Sequence, residues 1–231
     1  MLKLDDAESV RRTLAGLCLF LAALVLALAQ FIHPGQGEDG FVRTMAEQPA
    51  RVQAASLLVI LSSVLFVPAL VGLLRLLRHR GSVLVHLGVG LLLIGVIGHA
   101  VWAGFDIVLV WMSTSEIDRA QLTAVVDGGP PPGIAFMAVL LMFMAGFFLG
   151  LIFLAAGLWR SGAVPRWAAA LIALGPLVEF LPLDNEAVFM SGVVLFVIGF
   201  GAIGLTLLGR SDAERLPFAG EAGAGIRAPV S

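Results

Sequence analysis

Charge is scarce in this chain. Asp, Glu, Lys and Arg make up 13% of its 231 residues against 59% hydrophobic types, which leaves too few ionic side chains to coat a water-soluble domain. The mean hydropathy of +1.01 agrees and points to a membrane protein. The 14 basic residues form no run and the net charge is −2, so the field that nucleic acid requires is missing and nucleic acid is excluded as a partner. Cysteine is nearly absent. A lone Cys18 rules out an intrachain disulfide, a cysteine-held zinc and dithiol redox chemistry, and its place in an apolar run fits a small buried hydrophobe. The four histidines show no H-x-x-x-H or H-E-x-x-H spacing, so neither a metal nor a cofactor is predicted. Ser56, Ser62 and Ser63 lack a Gly-x-Ser-x-Gly elbow and read as serines that bond backbone. The Gly-x-Gly pairs at 88–90 and 199–201 follow no strand, which removes a phosphate loop. Neither an internal repeat nor the alternating segments of a membrane barrel are evident.

What is present is a series of long apolar runs. A hydrocarbon core of about 30 Å takes roughly 20 helical residues, and such windows recur at about 14–32, 53–74, 82–104, 134–158, 167–183 and 187–208. Backbone groups in lipid must be satisfied within the segment, so each run predicts a helix. The expected fold is all-α, a polytopic bundle of six spans forming one transmembrane domain over 1–210, followed by a disordered cytoplasmic tail over 211–231 that is rich in Gly, Ala and Pro. Basic residues gather near the termini, between spans 2 and 3, and between spans 4 and 5, with only Arg43, Arg51 and Arg119 on the other side. By the positive-inside rule both termini are cytoplasmic, in what is expected to be a bacterial inner membrane. Acidic residues show the opposite bias, ten of sixteen falling outside. A cleavable signal peptide is the rival reading of span 1. The run is longer than a signal core and Asp5, Asp6 and Glu8 are foreign to a signal's leading segment, so span 1 is read as retained.

The inner connections are short, near 75–81 and 159–166, whereas outer loops lie near 33–52 and 105–133. In the second, Ser115 precedes Asp118 by three residues, close to a capping box, and predicts a short surface helix that ends at the Gly/Pro cluster 128–133. Small residues inside the spans, Gly88, Gly95, Gly98, Gly146, Gly150, Gly192 and Gly199 among them, predict close helix packing within the chain. The pair Gly146-x-x-x-Gly150 also fits a homodimer or larger membrane complex.

Ionisable residues within a span cost about 2.5–3.5 kcal/mol each on insertion scales, so they turn toward a bundle interior or a water-filled cavity. In GVIGHAVWAGFDIVLVW (95–111), His99 and Asp106 are seven apart and fall on one helical stripe with Trp102 between them, provided the helix runs on to about Trp111. His86 points elsewhere and reads as an inner-interface residue. In span 5, Pro176 and Pro182 interrupt the hydrogen-bond ladder around Glu179, followed by Asp184 and Glu186. The predicted site is an outer-half pocket where His99, Asp106 and Glu179 converge, with His33, Trp102, Asp184 and Glu186 at its mouth. The plain alternative is that the acids are hydrated at the interface and His99 makes one interhelical hydrogen bond. Met137 and Met144, also seven apart, read as core packing beside Phe143, Phe147 and Phe148 rather than as copper ligands.

The stretch Gly157-Leu-Trp-Arg160-Ser-Gly162-Ala-Val-Pro165-Arg166-Trp167 resembles the loop between spans 4 and 5 of an uncharacterised family of bacterial six-span integral membrane proteins. The resemblance implies the span order and the R-S-G-x-x-P-R-W-like turn, and brings no catalytic residues. Three functional expectations follow from the residues themselves. The first is binding of a lipid-like or hydrophobic small molecule in the outer pocket, or service as an accessory subunit. The second is a membrane-embedded acid/base enzyme, such as a cyclase or isomerase of an isoprenoid-like lipid, with Glu179, Asp106 and His99 as catalytic candidates. The third, proton-coupled transport, requires a polar path through to the inner side, and spans 1, 4 and 6 carry no charge in their middles.

Overall fold

The computed structural model describes residues 4–34, 41–77, 83–115, 119–126, 133–179 and 185–213; Asp184 and the tail beyond residue 213 lie outside them. Every regular element among the described residues is a helix: α1 (Leu4–Ile32), α2 (Phe41–Glu47), α3 (Pro49–Leu76), α4 (Val83–Thr114), α5 (Arg119–Val126), α6 (Ile134–Ser161), α7 (Arg166–Glu179) and α8 (Glu186–Ala213). Five of them, α1, α3, α4, α6 and α8, hold stretches long and apolar enough to cross a membrane. The fifth expected span, 167–183, is described only as far as α7 reaches, Arg166–Glu179, and its last residues lie outside the described ones. Helix α4, by contrast, continues to Thr114, well past residue 104, and α8 continues three residues past 210.

The six longer helices form a closed ring. Each packs on the next, α1 on α3, α3 on α4, α4 on α6, α6 on α7 and α7 on α8, and α8 returns to α1. Directions alternate, as the facing pairs Gly72 with Ala15, Gly98 with Phe143, and Gly16 with Gly204 require. One end of the bundle therefore carries α2, α5, the end of α7 and the start of α8, and the other carries the turn between α6 and α7, the start of α1 and the end of α8. Helix α2 lies over α4, α3 and α5, and it buries Val42 against Leu109 and Leu122, and Met45 against Val52 and Val110.

Lipid-facing helices gain nothing by hiding apolar groups from one another, so their association depends on dispersion at close range and on small residues that permit it. The α4–α6 seam shows this most fully. A Cβ on Gly146 would stand 2.6 Å from the backbone nitrogen of Gly95, and one on Gly150 2.5 Å from that of Leu92. The face bearing Gly146 and Gly150 is thus filled by α4 of the same chain, which leaves it no room for a second copy. The α7–α8 seam repeats the device with Gly175 against Gly192, and the α1–α8 seam with Gly16 against Gly204. Helix α6 stops where Gly162 adopts φ 61, the left-handed cap that glycine takes without a Cβ penalty. Arg166 then lies 5.8 Å from the Trp159 ring centroid, a cation–π contact across the turn.

The outward faces remain apolar. On α1, Leu14, Leu17, Leu21, Leu24 and Leu28 recur every three or four residues and are all exposed, the pattern of a helix whose solvent is hydrocarbon. Polar atoms turn inward instead: Ser62 donates to the Ala22 carbonyl at 2.8 Å, tying α3 to α1, and Ser63 donates to the Val59 carbonyl one turn back.

These seams give a direct test. Gly95→Ala should lower resistance to unfolding in detergent by about 1–3 kcal/mol, because its Cβ meets the Phe147 backbone, which cannot step aside as a side chain can. Gly90→Ala, with nothing within 4 Å, should be neutral or mildly stabilising. Equal effects from the two substitutions, read from denaturant titrations, would contradict the packing described.

Candidate functional site

The ring encloses a cavity of about 20 Å³, room for one or two water molecules. Five helices line it: Leu26, Ala27 and Gln30 from α1, His99 from α4, Phe143 and Phe147 from α6, Glu179 from α7, and Val193 and Phe196 from α8. It lies in the half of the bundle that carries α2 and α5, since Gln30 and Glu179 fall in the last turns of α1 and α7 at that end.

The close seams position its polar members. Gly98 admits the Phe143 backbone against α4, and the adjacent His99 ring stacks on Phe143 at 4.5 Å with an interplanar angle of 14°. Phe147 meets the same imidazole edge-on at 6.1 Å, so two aromatic rings fix its plane. A Cβ on Gly192 would lie 2.7 Å from the backbone nitrogen of Glu179, so glycine at that position lets the end of α7 press onto α8 beside the cavity. Gln30 follows Leu26 by one turn and Ala23 by two, on the buried face of α1. Among the described residues, His99, Glu179 and Gln30 have no hydrogen-bond partner in the protein; their polar ends are left to whatever occupies the cavity. Buried polar groups in folded proteins are nearly always paired, by protein or by ordered water.

Deeper in the bundle the aromatic contacts continue. Phe147 stacks on Phe196 at 5.9 Å, Phe196 meets Phe200 at 4.8 Å, and Phe200 meets Phe66 of α3 at 5.5 Å. Leu19, Leu70, Leu73, Leu154, Leu158 and Ile203 then fill the half of the core farthest from α2.

The remaining sequence candidates are dispersed. Asp106 is buried on the same stripe as His99, about 10 Å nearer α2, and does not line the cavity. Its Oδ1 has no hydrogen-bond partner among the described residues, and neither has Ser56 Oγ on α3. The Val52–Val110 contact sets both at one level, a turn deeper. Trp102 packs with Phe105 and Phe136 at 6.0 and 5.6 Å, closing the α4–α6 seam rather than the cavity mouth. Glu186 is exposed in the first turn of α8, where a carboxylate suits the helix dipole. His33 caps the end of α1 through its N–H to the Ala29 carbonyl, away from the cavity lining. Gln30 and the stacking pair Phe143 and Phe147 complete the site and carried no chemical signal in the sequence, beyond the fall of Gln30 on the small-residue face of α1. Among the described residues no three His, Cys, Asp or Glu side chains gather closely enough to hold a metal ion.

No protein-family model matches the chain, and no curated protein and no solved structure matches it.

His33 sits beside Arg51, whose Nε donates to the Ile32 carbonyl at 3.1 Å and whose Nη1 donates to Gln48 Oε1 at 2.7 Å. Burial first, and the Arg51 guanidinium second, hold the His33 imidazole below its ordinary 6.5. A lowered histidine value favours the neutral form in the fold, so its contribution is present above the ordinary value and is lost as pH falls through it. Arg51→Gln should raise the His33 titration midpoint, measured by NMR, without restoring it fully, since burial is the larger cause. An unchanged midpoint would show that the arginine does not act on it.

Proposed function

We propose that the chain is a six-span bacterial inner-membrane protein with both termini in the cytoplasm, and that its central cavity binds the hydrogen-bonding group of a hydrophobic small molecule. The observation that carries the binding reading is the convergence of three polar side chains, His99, Glu179 and Gln30, on one otherwise apolar cavity. A donor–acceptor set of that kind inside apolar walls is the usual form of a small-molecule site. The cavity size restricts what enters whole: about 20 Å³ takes a hydroxyl or carbonyl, and a lipid only by its head.

A second reading has its own support. His99 and Glu179 are both able to carry protons and face one water-poor space, which is the minimal equipment for acid/base chemistry on the bound head group. Transport is the weakest, because the Phe66, Phe196 and Phe200 cluster and the leucine-filled half beyond it interrupt any polar path. The topology rests on the basic-residue bias, with α7 and the residues after it as the fifth crossing.

Native mass spectrometry of the detergent-purified protein should show a retained small molecule that Glu179→Ala and His99→Ala release and Asp106→Leu keeps. Release by Asp106→Leu alone would move the site away from the cavity. For topology, a fluorescent-protein fusion at the carboxyl terminus should glow and a periplasm-dependent alkaline phosphatase fusion there should be inactive; the reverse pair of results would invert the protein.

A further inference from the structure

Two buried polar atoms lie outside the cavity and have no hydrogen-bond partner among the described residues: Asp106 Oδ1 on α4 and Ser56 Oγ on α3. Asp106 is 6% exposed and Ser56 2%. They belong to one place. Val52 and Val110 share a cluster with Met45 of α2, and one turn further in, on the same two helix faces, come Ser56 and Asp106. Helix α2 covers this level from outside, since Phe105, Leu109 and Val110, the neighbours of Asp106 on α4, all pack in the two clusters that α2 shares. The underside of α2 also carries a buried hydroxyl, Thr44, between Val42 and Met45.

The cavity reaches the same height. From the Ser62–Ala22 hydrogen bond, eight residues outward on α1 arrive at Gln30 and six outward on α3 arrive at Ser56, a difference of about 3 Å. Gln30 lines the cavity, so the cavity's outer end stands level with Ser56 and Asp106, although His99 lies about 10 Å deeper than Asp106. A carboxyl oxygen and a hydroxyl without partners, at one level and enclosed by apolar side chains, make a place for bridging water. Leaving them dry would cost about 1–3 kcal/mol apiece.

We propose that water held between Asp106 and Ser56 joins the cavity to the α2 face, and that Asp106 passes protons through it, by way of the Gln30 layer, to and from His99 and Glu179. The inference rests on the cavity reading above, in which those two side chains face one bound group. In the inward direction the carboxyl O–H of Asp106 breaks as its proton goes to the bridging water. That water releases a different proton toward the cavity, where the free ring nitrogen of His99 or the carboxylate of Glu179 takes it up. The Asp106 carboxylate then recovers a proton from bulk water at the α2 face. Ser56 and Gln30 hold water in place and neither gains nor loses a proton. The path is one-sided, because Phe66, Phe196 and Phe200 close the axis beyond the cavity.

The test is hydrogen–deuterium exchange of the His99 ring N–H. Protein labelled with nitrogen-15 histidine, in phosphatidylcholine nanodiscs, is moved into heavy water and followed by NMR, the His99 signal being the one absent from His99→Gln. An imidazole carries an N–H in either charge state, so the signal exists whatever the protonation. Asp106→Asn keeps the size of the side chain but cannot relay a proton, and should slow the exchange about a hundredfold, the lower end of what a positioned acid or base contributes. Ser56→Ala should slow it as well, and decides the matter if Asp106→Asn does not fold. Ser63→Ala, whose hydroxyl is already satisfied by the Val59 carbonyl, should leave it unchanged. Equal exchange in the wild type, Asp106→Asn and Ser56→Ala would overturn the relay, and so would a wild-type N–H that exchanges only when the protein unfolds. The cavity reading fails separately, by native mass spectrometry in which Glu179→Ala and His99→Ala release no bound molecule, whatever the exchange rates show.

Discussion

Helices bathed in hydrocarbon attract each other only where their atoms come into close contact, and in this protein that contact is made by backbone against backbone at glycine. The α4–α6, α7–α8 and α1–α8 seams all depend on it. The consequence reaches the site directly. Where Gly98 admits α6, the neighbouring imidazole is pressed flat on Phe143; where Gly192 admits α7, Glu179 is delivered to the rim of the same cavity. A methyl group at either glycine would separate helices whose side chains were not themselves changed. Packing and chemistry are therefore one construction, with no separate scaffold on which a site has been mounted.

The division of the bundle into two halves follows from the cost of burying polar atoms. In the half away from α2, leucine, isoleucine and phenylalanine fill the axis. In the half beneath α2, the axis carries His99, Glu179, Gln30 and Asp106, and the helices there fit less completely. The two facts are linked, since polar groups without protein partners need water or a ligand beside them and a fully packed core leaves neither. Serines show the cheaper solution: Ser62 and Ser63 satisfy themselves on carbonyls within reach and demand no space.

Much of this was legible from residue order. The helical class, five of the long apolar runs, the surface helix now seen as α5 at 119–126 and the continuation of the third run past residue 104 can all be read from period and composition. The unbroken passage of α7 through Pro176 was not. Pro176 was visible as a break, yet the helix runs three residues past it to Glu179, because a proline removes only one donor and the turn after it is held against α8. The stripe shared by His99 and Asp106 was legible and misleading together: seven residues return to one face, but they also rise about 10 Å, enough to put one group in the cavity and the other beyond it.

By itself, then, the sequence determined that the chain is helical, that its outward surface is hydrocarbon, and that a few ionisable groups must face inward, because period and transfer cost are properties of residues in order. Only the tertiary structure decided which of those groups meet. Glu179 joins His99 although 80 positions separate them in the chain, through the closure of α8 onto α1 and the glycine contact of α7 with α8; Asp106, seven positions from His99, does not. Ring closure and seam spacing are set by pairs of helices, and a pair is a relation that no single segment contains.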